Sequence, residues 1–483
     1  MIATPKLEFA PILPELFLCG VAIIGLLYEA LAPKPERLWH LALASAGLVA
    51  AALATFPLWH WPGSVTVMGG MVAVDRFSVV ARLVLLSIAA MGLLLGTHYF
   101  SRSGDDPRGE FYPLVLFATA GMTLITAAAD LIVVFLSLEI LSLSLYVLTG
   151  ITGRPASSEA AMKYFLLGAF SSAFFLFGVA WAYGATGTTS ITAVANALAG
   201  QTGSQALALM AFAFLAIGFG FKVSAVPFHM WTPDVYQGSP TPITAYMSAA
   251  TKVAAFFAMI RVLDVAFQPL TWDWTPVIWA LAALSAVLGS VLAIAQFDIK
   301  RMLAYSSIAH AGFILTGLTS PNQIGIRAAM FYLVAYALMT IGAFGVVMLV
   351  SAKGEEQTSL TSYAGLSKRS PLLAGMMTLF LLSLAGIPPT VGFVAKVGVF
   401  SAAIEAGNWP LAVVGVLASV AAAFFYLRVI VLMYMQDPKG ALDEDRSTLP
   451  RMAIAIPAIL TLALGVFPGL ISGILESASI LRW

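Results

Sequence analysis

Five ionisable side chains lie inside long apolar stretches of this 483-residue chain. They are Glu139, Lys163, Lys222, Lys252 and Lys396. A charge at the centre of a bilayer costs about 2.5–3.5 kcal/mol on insertion scales, so intramembrane charges indicate a function. Lysine and glutamate can both bind and release protons. The five residues therefore predict a charged line through a membrane protein that transfers protons or cations.

Lys222 and Glu139 could form a switch. A carboxylate about 4 Å from an ammonium group contributes about 4 kcal/mol in an effective dielectric near 20. That energy is enough to move a lysine between its charged and neutral forms near neutral pH. The alternative is a permanently charged lysine with Glu139 as its structural partner. Lys163, near the start of its helix, could either modulate this pair or extend to the membrane interface.

A histidine could link the lysines. His310 lies in the segment AYSSIAHAGF, and imidazole titrates near physiological pH, which suits a proton relay. A hydrogen-bonded structural role in the core is the alternative. His229, in the polar segment after Pro227, could line an inlet, and a structural role is open for it as well. Because no second histidine lies at metal-ligand spacing from either one, the sequence predicts no metal site.

The elements that position these residues must be membrane-spanning helices. The chain is 60% hydrophobic and 10% charged, whereas soluble globular proteins carry about a quarter charged residues. A spanning helix needs about 20 mostly apolar residues, and the sequence contains about fourteen such stretches. We therefore predict an all-α polytopic protein with a single membrane domain. The predicted helices lie near 8–30, 38–58, 72–100, 110–128, 130–150, 159–184, 205–236, 241–264, 275–297, 300–318, 323–351, 371–406, 409–436 and 450–476.

Lysine and arginine are unevenly distributed among the linkers between these helices, numbered from the N-terminus. The odd-numbered linkers hold nearly all of them and the even-numbered linkers almost none. The positive-inside rule then places the odd linkers in the cytoplasm and both termini outside. The residues in the odd linkers are Lys34, Arg37, Arg102, Arg108, Arg154, Lys300, Arg301, Lys353, Lys368, Arg369, Lys439, Arg446 and Arg451.

Motifs for several other functions are missing from the sequence. The single cysteine, Cys19, lies in the first apolar stretch, so we expect no intrachain disulfide and no cysteine-ligated cluster. That stretch lacks the cleavage pattern of a signal peptide and is expected to be retained. The sequence has no convincing dinucleotide-binding fingerprint or phosphate-binding loop. We therefore expect neither a cofactor on this chain nor a nucleic-acid partner.

The intramembrane ionisable residues recur at a near-constant offset, which predicts an internal repeat. The first half would span 110–264 and the second 275–436, between N-terminal helices at 1–109 and a C-terminal helix at 437–483. Each half contains about five helices, and an odd number inverts the second copy in the membrane. The pairs are Glu139 with His310, Lys222 with Lys396, and Lys252 with Arg428, which are 171, 174 and 176 residues apart.

Helix-breaking residues lie close to one lysine in each half. Pro227 follows Lys222 by five residues, and Pro388 with Pro389 precedes Lys396. Irregular backbone at membrane depth is tolerated where it is buried in protein or faces a water-filled cavity, and discontinuous helices place polar backbone at the ion sites of transporters. Simple proline kinks are the alternative. The presence of breakers beside a lysine in both halves favours a functional role.

Four segments together carry a resemblance to a known family. They are SLEILSLSLYVL (137–148), PFHMWTPDVYQGSP (227–240), AYSSIAHAGF (304–313) and AGIPPTVGFVAK (385–396). They resemble the antiporter-like membrane subunits of respiratory complex I, and the resemblance covers essentially the whole chain. It implies fourteen helices, two inverted five-helix repeats, and breaks in the seventh and twelfth helices. Within the family, Lys396 and the absence of a long lateral C-terminal helix favour the branch with a lysine in helix twelve.

The resemblance also implies a function for the charged line. Glu139 matches the family's helix-five glutamate, and Lys222, Lys252 and Lys396 match the lysines of helices seven, eight and twelve. With Lys163 and His310, these are the predicted proton-transfer residues. The family implies a bacterial inner-membrane subunit that translocates protons, beside further antiporter-like subunits. NADH, flavin, iron–sulfur clusters and quinone would belong to its partners. A sodium/proton antiporter subunit and a non-pumping scaffold remain the alternatives.

Overall fold

The computed structural model describes residues 8–32, 36–63, 65–102, 109–352, 355–438 and 447–481. Helices dominate these residues, and the two small antiparallel pairs are β1 (Thr66–Val67) with β2 (Val72–Ala73), and β3 (Ser351–Ala352) with β4 (Glu355–Glu356). The apolar sequence explains this choice, because a helix satisfies its backbone hydrogen bonds internally within lipid. The predicted all-α class is confirmed. Several charges used for the topology lie outside the described residues: Lys34, Arg108, Lys353, Lys439 and Arg446.

The helices follow one another along the chain as short-linked elements. Three precede the first predicted half: α1 (Leu13–Leu31), α2 (Arg37–Thr55) and α3 (Arg76–Arg102). The first half contains α4 (Phe111–Ala127), α5 (Leu131–Gly150), α6 (Pro155–Thr186), α7 (Ile191–Ala199), α8 (Gln205–Val223), α9 (Trp231–Gly238) and α10 (Thr241–Arg261). The rest of the chain contains α11 (Thr271–Ile294), α12 (Ile299–Leu318), α13 (Gln323–Leu349), α14 (Leu366–Arg369), α15 (Pro371–Ala385), α16 (Val391–Glu405), α17 (Trp409–Met435), α18 (Thr448–Val466) and α19 (Gly469–Ala478).

Nine helices of the described residues are long and apolar enough to cross a membrane, and a tenth candidate is a pair bent by 86° near the C-terminus. Each of the predicted ranges overlaps at least one helix. The number of crossings itself stays a prediction, because some helices of the predicted set are shorter or carry more charge. Phe111–Ala127 and Pro371–Ala385 are the shorter apolar ones.

The predicted uncharged loop at 185–204 contains a helix, α7. Ser190 caps it by accepting a hydrogen bond from the Ala193 amide. Ile191, Val194 and Leu198 are buried, and their spacing of three and four residues is that of one helix face. The prediction of a structureless loop was therefore wrong, and the apolar periodicity contained the missing signal.

Both predicted helix breaks are present. α8 ends at Val223, and Ser224 takes a left-handed conformation with φ of 63°. α15 ends at Ala385, and Gly386 takes the same conformation with φ of 85°. The backbone after the first break is satisfied within the protein, since the Val226 amide donates to the Ser285 hydroxyl at 2.8 Å.

The two breaks match each other at an offset of 162 residues, because Ser224 and Gly386 both end a helix in the left-handed conformation. Lys222 lies in the last turn before the first break, whereas Lys396 lies in the helix that follows the second. The predicted equivalence of these two lysines was therefore wrong. Their spacing of 174 residues differs from the spacing of the breaks, and Asp234 is the residue that corresponds to Lys396 at the offset of 162.

Two central helices and one tight helix pair position the polar residues. Every residue of α10 is buried, and α13 packs against it. α12 approaches α11 so closely that a Cβ atom on Gly312 would lie 2.4 Å from the Ala286 amide nitrogen, and one on Gly289 would lie 2.4 Å from the amide of Ala309. These glycines permit the contact that holds α12, and with it His310, against its neighbour.

Candidate functional site

Lys222 and Glu139 are linked through serines rather than by an ion pair. Lys222 is 3% exposed, and its Nζ donates to Ser142 Oγ at 2.7 Å. Ser142 lies three residues after Glu139 on α5, and Glu139 accepts a hydrogen bond from Ser172 of α6. Among the ion pairs within 4.0 Å of the described residues, none joins Glu139 to Lys222. The structure therefore brings the predicted pair to one region and inserts a neutral group between them.

Aromatic rings surround the Lys222 ammonium group. Its Nζ lies 5.6 Å from the ring centre of Tyr164 and 5.8 Å from that of Tyr146. Tyr164 stacks on Trp231 of α9, with centres 4.7 Å apart. Such rings stabilise a nearby cation by about 0.5–2 kcal/mol. Sequence reasoning missed both tyrosines, although Tyr146 follows Glu139 by two helical turns and so lies on the same face of α5.

Lys252 connects the first break to α12. It is fully buried, and its Nζ donates to the Val223 carbonyl at 2.8 Å and to the Ser307 carbonyl at 2.7 Å. Val223 is the last residue of α8, so the break frees the carbonyl that the lysine uses. This is the polar backbone that a discontinuous helix was expected to present.

Lys396 has the matching contact at the second break. Its Nζ donates to the carbonyl of Ala385, the last residue of α15, at 2.8 Å and to Ser419 Oγ at 2.6 Å. Val223 and Ala385 are 162 residues apart, the same offset as the breaks themselves. By these contacts Lys396 corresponds to Lys252, which replaces the predicted pairing of Lys396 with Lys222.

His310 is bound by hydroxyl groups and touches no lysine directly. Its Nδ1 lies 2.9 Å from the Tyr332 hydroxyl and its Nε2 lies 3.2 Å from the Tyr426 hydroxyl. Phe313 lies beside it, with ring centres 5.7 Å apart, and the Lys396 Nζ is 4.9 Å from the same phenyl ring. An apolar side chain therefore lies between the histidine and the last lysine of the line.

Lys163 lies apart from the Glu139–Lys222 pair. Its side chain is 43% exposed and forms ion pairs with Glu159 and Asp234, each at 2.8 Å. Asp234 also binds Arg301 at 2.6 Å. One carboxylate on α9 thus joins a cation from α6 to a cation from α12, next to the break that follows Lys222.

Other charges have the structural partners that their positions suggested. Asp75 pairs with the buried Arg261 at 2.9 Å. Arg82, also fully buried, pairs with Glu15 at 2.9 Å. Arg428 donates to the Ile294 carbonyl at 2.9 Å, as expected of an anchor.

The described residues contain no group of three or more histidine, cysteine, aspartate or glutamate side chains arranged to hold a metal ion. The His229 imidazole lies just after the first break, and its Nδ1 is buried without a hydrogen-bond partner. The arrangement that the structure does present is a set of buried amines, hydroxyls and one imidazole. All of these groups can carry a proton.

Comparisons with known proteins agree with this arrangement. A family model described as "NADH:quinone oxidoreductase/Mrp antiporter, TM" matches residues 128–422. The chain is 46% identical to the NADH-quinone oxidoreductase subunit N of Rhodococcus opacus, over 97% of this chain and 95% of the relative. The corresponding protein of Mycobacterium tuberculosis is 42% identical, with 97% of both chains covered.

Two solved structures have the same fold. A chain of respiratory complex I from Thermus thermophilus with bound aureothin superposes with a TM-score of 0.83 and 35% identity, over 96% of this chain and 99% of that one. A chain of the Mrp complex from Dietzia sp. gives a TM-score of 0.84 at 23% identity, over 98% and 97% of the two chains. The second likeness concerns the fold alone.

Proposed function

We infer, because this chain belongs to the NADH:quinone oxidoreductase/Mrp antiporter family of membrane proteins, that it is a proton-translocating membrane subunit of a respiratory NADH:quinone oxidoreductase. High identity over nearly the full length of subunit N proteins supports the N type. The single observation that carries a transfer function is the buried series of Lys222, Lys252, His310 and Lys396. Burial of that many titratable groups is costly unless they are used.

In this proposal protons move along the buried series by way of neutral neighbours. Glu139 acts on Lys222 through the serine that binds the lysine, and Lys252 and Lys396 each exchange their proton beside the free carbonyl of a broken helix. Lys163 acts indirectly, since it binds Asp234 on the short helix that also carries Trp231 of the aromatic cluster around Lys222.

The energy for transport must come from other subunits. Moving one charge across 100 mV costs about 2.3 kcal/mol, and no group of this chain is proposed to carry out redox chemistry. NADH, flavin, iron–sulfur clusters and quinone are therefore assigned to partners, together with further antiporter-like subunits. We place the chain in the bacterial inner membrane as fourteen helices in two inverted five-helix repeats, with both termini outside.

Substitution of Lys222 tests the proposal. We expect Lys222→Ala to lower the number of protons pumped per NADH oxidised while the complex still assembles. Glu139→Ala should also impair pumping, and Glu139→Asp should keep part of it because the charge remains. Lys368→Ala is the matched control, since Lys368 is 60% exposed and pairs with Asp437 at the surface. Proton uptake into membrane vesicles would be measured beside quinone reduction, and native gels would report assembly.

The same preparation separates the alternatives. Normal pumping by an assembled Lys222→Ala, Glu139→Ala double variant would leave a scaffold role instead. The family also contains Mrp antiporters, so proton transport should be measured with and without sodium. Transport that requires sodium would favour a sodium/proton antiporter subunit.

A further inference from the structure

The imidazole of His310 lies between two buried phenol groups that come from different helices. Tyr332 of α13 contacts Nδ1 at 2.9 Å, and Tyr426 of α17 contacts Nε2 at 3.2 Å. The histidine is 1% exposed and neither tyrosine is more than 1% exposed. Both ring nitrogens are thus hydrogen-bonded to groups that can themselves donate and accept a proton.

This arrangement matches the two requirements of a proton relay. A neutral imidazole carries one N–H donor and one acceptor nitrogen, so one hydroxyl must donate to the ring while the other accepts from it. If a proton moves onto one nitrogen and another leaves the opposite nitrogen, the ring changes tautomer and stays neutral. We propose that Tyr332 and Tyr426 are proton-carrying residues of the transfer line, and that His310 passes each proton between their hydroxyls. The proposal rests on the proposed function.

The transfer step balances in protons. A proton delivered to the Tyr426 oxygen allows the hydroxyl proton already there to move to Nε2. Nδ1 then gives its proton to the Tyr332 oxygen, whose own hydroxyl proton departs. One proton enters and one leaves, and a flip of the imidazole ring restores the starting tautomer. Transfer in the opposite direction uses the same atoms in reverse order.

Further hydroxyls extend the relay beyond the histidine. Ser306 is hydrogen-bonded to the Tyr426 hydroxyl. The Tyr336 hydroxyl donates to Ser307 Oγ at 2.9 Å, and the carbonyl of Ser307 is the one that accepts from Lys252. The Tyr336 ring lies 5.4 Å from the imidazole, centre to centre. Hydroxyl groups therefore occupy the space between Lys252 and His310, where a direct contact is missing.

Removal of each phenol hydroxyl tests the relay. We expect Tyr332→Phe and Tyr426→Phe in the whole complex to lower the protons pumped per NADH oxidised to the level of Lys222→Ala. Phenylalanine keeps the ring, so the packing around the site is largely preserved. Tyr363→Phe is the matched control, because its hydroxyl is also buried but forms no hydrogen bond; it should pump normally. Normal pumping by both assembled relay variants would overturn the proposal.

The design distinguishes failure of the relay from failure of the function. If Lys222→Ala pumps normally, the proposed function itself fails. If Lys222→Ala stops pumping while both tyrosine variants pump like the parent, only the relay fails. Should a tyrosine variant not assemble, a fluorotyrosine placed at position 426 changes the acidity of the phenol and hardly its shape. The relay predicts an altered pumping rate and an altered solvent deuterium isotope effect, and unchanged values would overturn it.

Discussion

At the scale of single residues, neutral groups bind the buried lysines. Lys222 donates to a serine hydroxyl, Lys252 to two carbonyls, and Lys396 to a carbonyl and a serine hydroxyl. Hydrogen bonds to a charged group are worth about 1.5–3 kcal/mol, and they keep that value only while the amine is near its acceptor. Proton loss therefore requires no separation of a tight ion pair.

We expect Ser142→Ala to impair pumping, because Lys222 loses the hydroxyl that links it to the helix of Glu139. The complex should still assemble, since a typical hydrogen bond contributes only about 1 kcal/mol to stability. Ser144→Ala is the control on the same helix: its hydroxyl binds the Ile140 carbonyl at 2.9 Å and no lysine. Proton uptake per NADH oxidised is the measurement, and equal values for the two variants would contradict the role of Ser142.

The sequence was sufficient to identify the lysines, Glu139 and His310, because a charge within an apolar run is visible without any fold. It could not identify Ser142, Tyr332 or Tyr426 as their partners. Serines and tyrosines are frequent in membrane helices, and which of them meets a lysine depends on how separate helices pack. For the same reason, the predicted contact between Glu139 and Lys222 proved indirect.

At the scale of helices, the two breaks organise the site. Proline pairs and glycine predicted where the helices stop, since these residues remove donors or adopt left-handed backbone. The register between the halves was predicted incorrectly, because it was inferred from the charged residues. The left-handed helix ends and the carbonyls bound by Lys252 and Lys396 give one common offset instead.

The first break depends on a hydroxyl from α11. Ser285 accepts the buried Val226 amide, and an unsatisfied buried donor costs about 1–3 kcal/mol. We expect Ser285→Ala to lower the thermal stability of the complex and to increase hydrogen exchange in α9. Ser290→Ala is the control on the same helix, because its buried hydroxyl has no hydrogen-bond partner. A similar loss in both variants would show that the hydroxyl has no special role at the break.

At the scale of the whole molecule, the positive-inside pattern predicts which ends face the cytoplasm. Lys368, in the linker between α13 and α15, forms an ion pair with Asp437 at 2.9 Å that keeps the pKa of this carboxyl below its ordinary value. Gly200 follows α7 in the linker between α6 and α8. The charge pattern places these two linkers on opposite sides of the membrane.

We expect a thiol reagent that cannot cross the membrane to label Lys368→Cys and Gly200→Cys from opposite sides. Both substitutions would be made in a Cys19→Ser background, since Cys19 is the only cysteine of the chain. Lys368→Cys should react from the cytoplasm and Gly200→Cys from outside. Labelling of both positions from the same side would contradict the topology.

The phenyl ring between His310 and Lys396 has an electrical consequence. An unbroken row of protonatable groups across the bilayer would short-circuit the membrane, because the stored gradient would drive protons back through the protein. Phe313 is fully buried and acts as insulation at this one point. We expect Phe313→Ala to admit water and to accelerate the decay of an imposed pH gradient in vesicles whose respiration is blocked, whereas Phe313→Leu, which keeps the site apolar, should hold the gradient as well as the parent protein does.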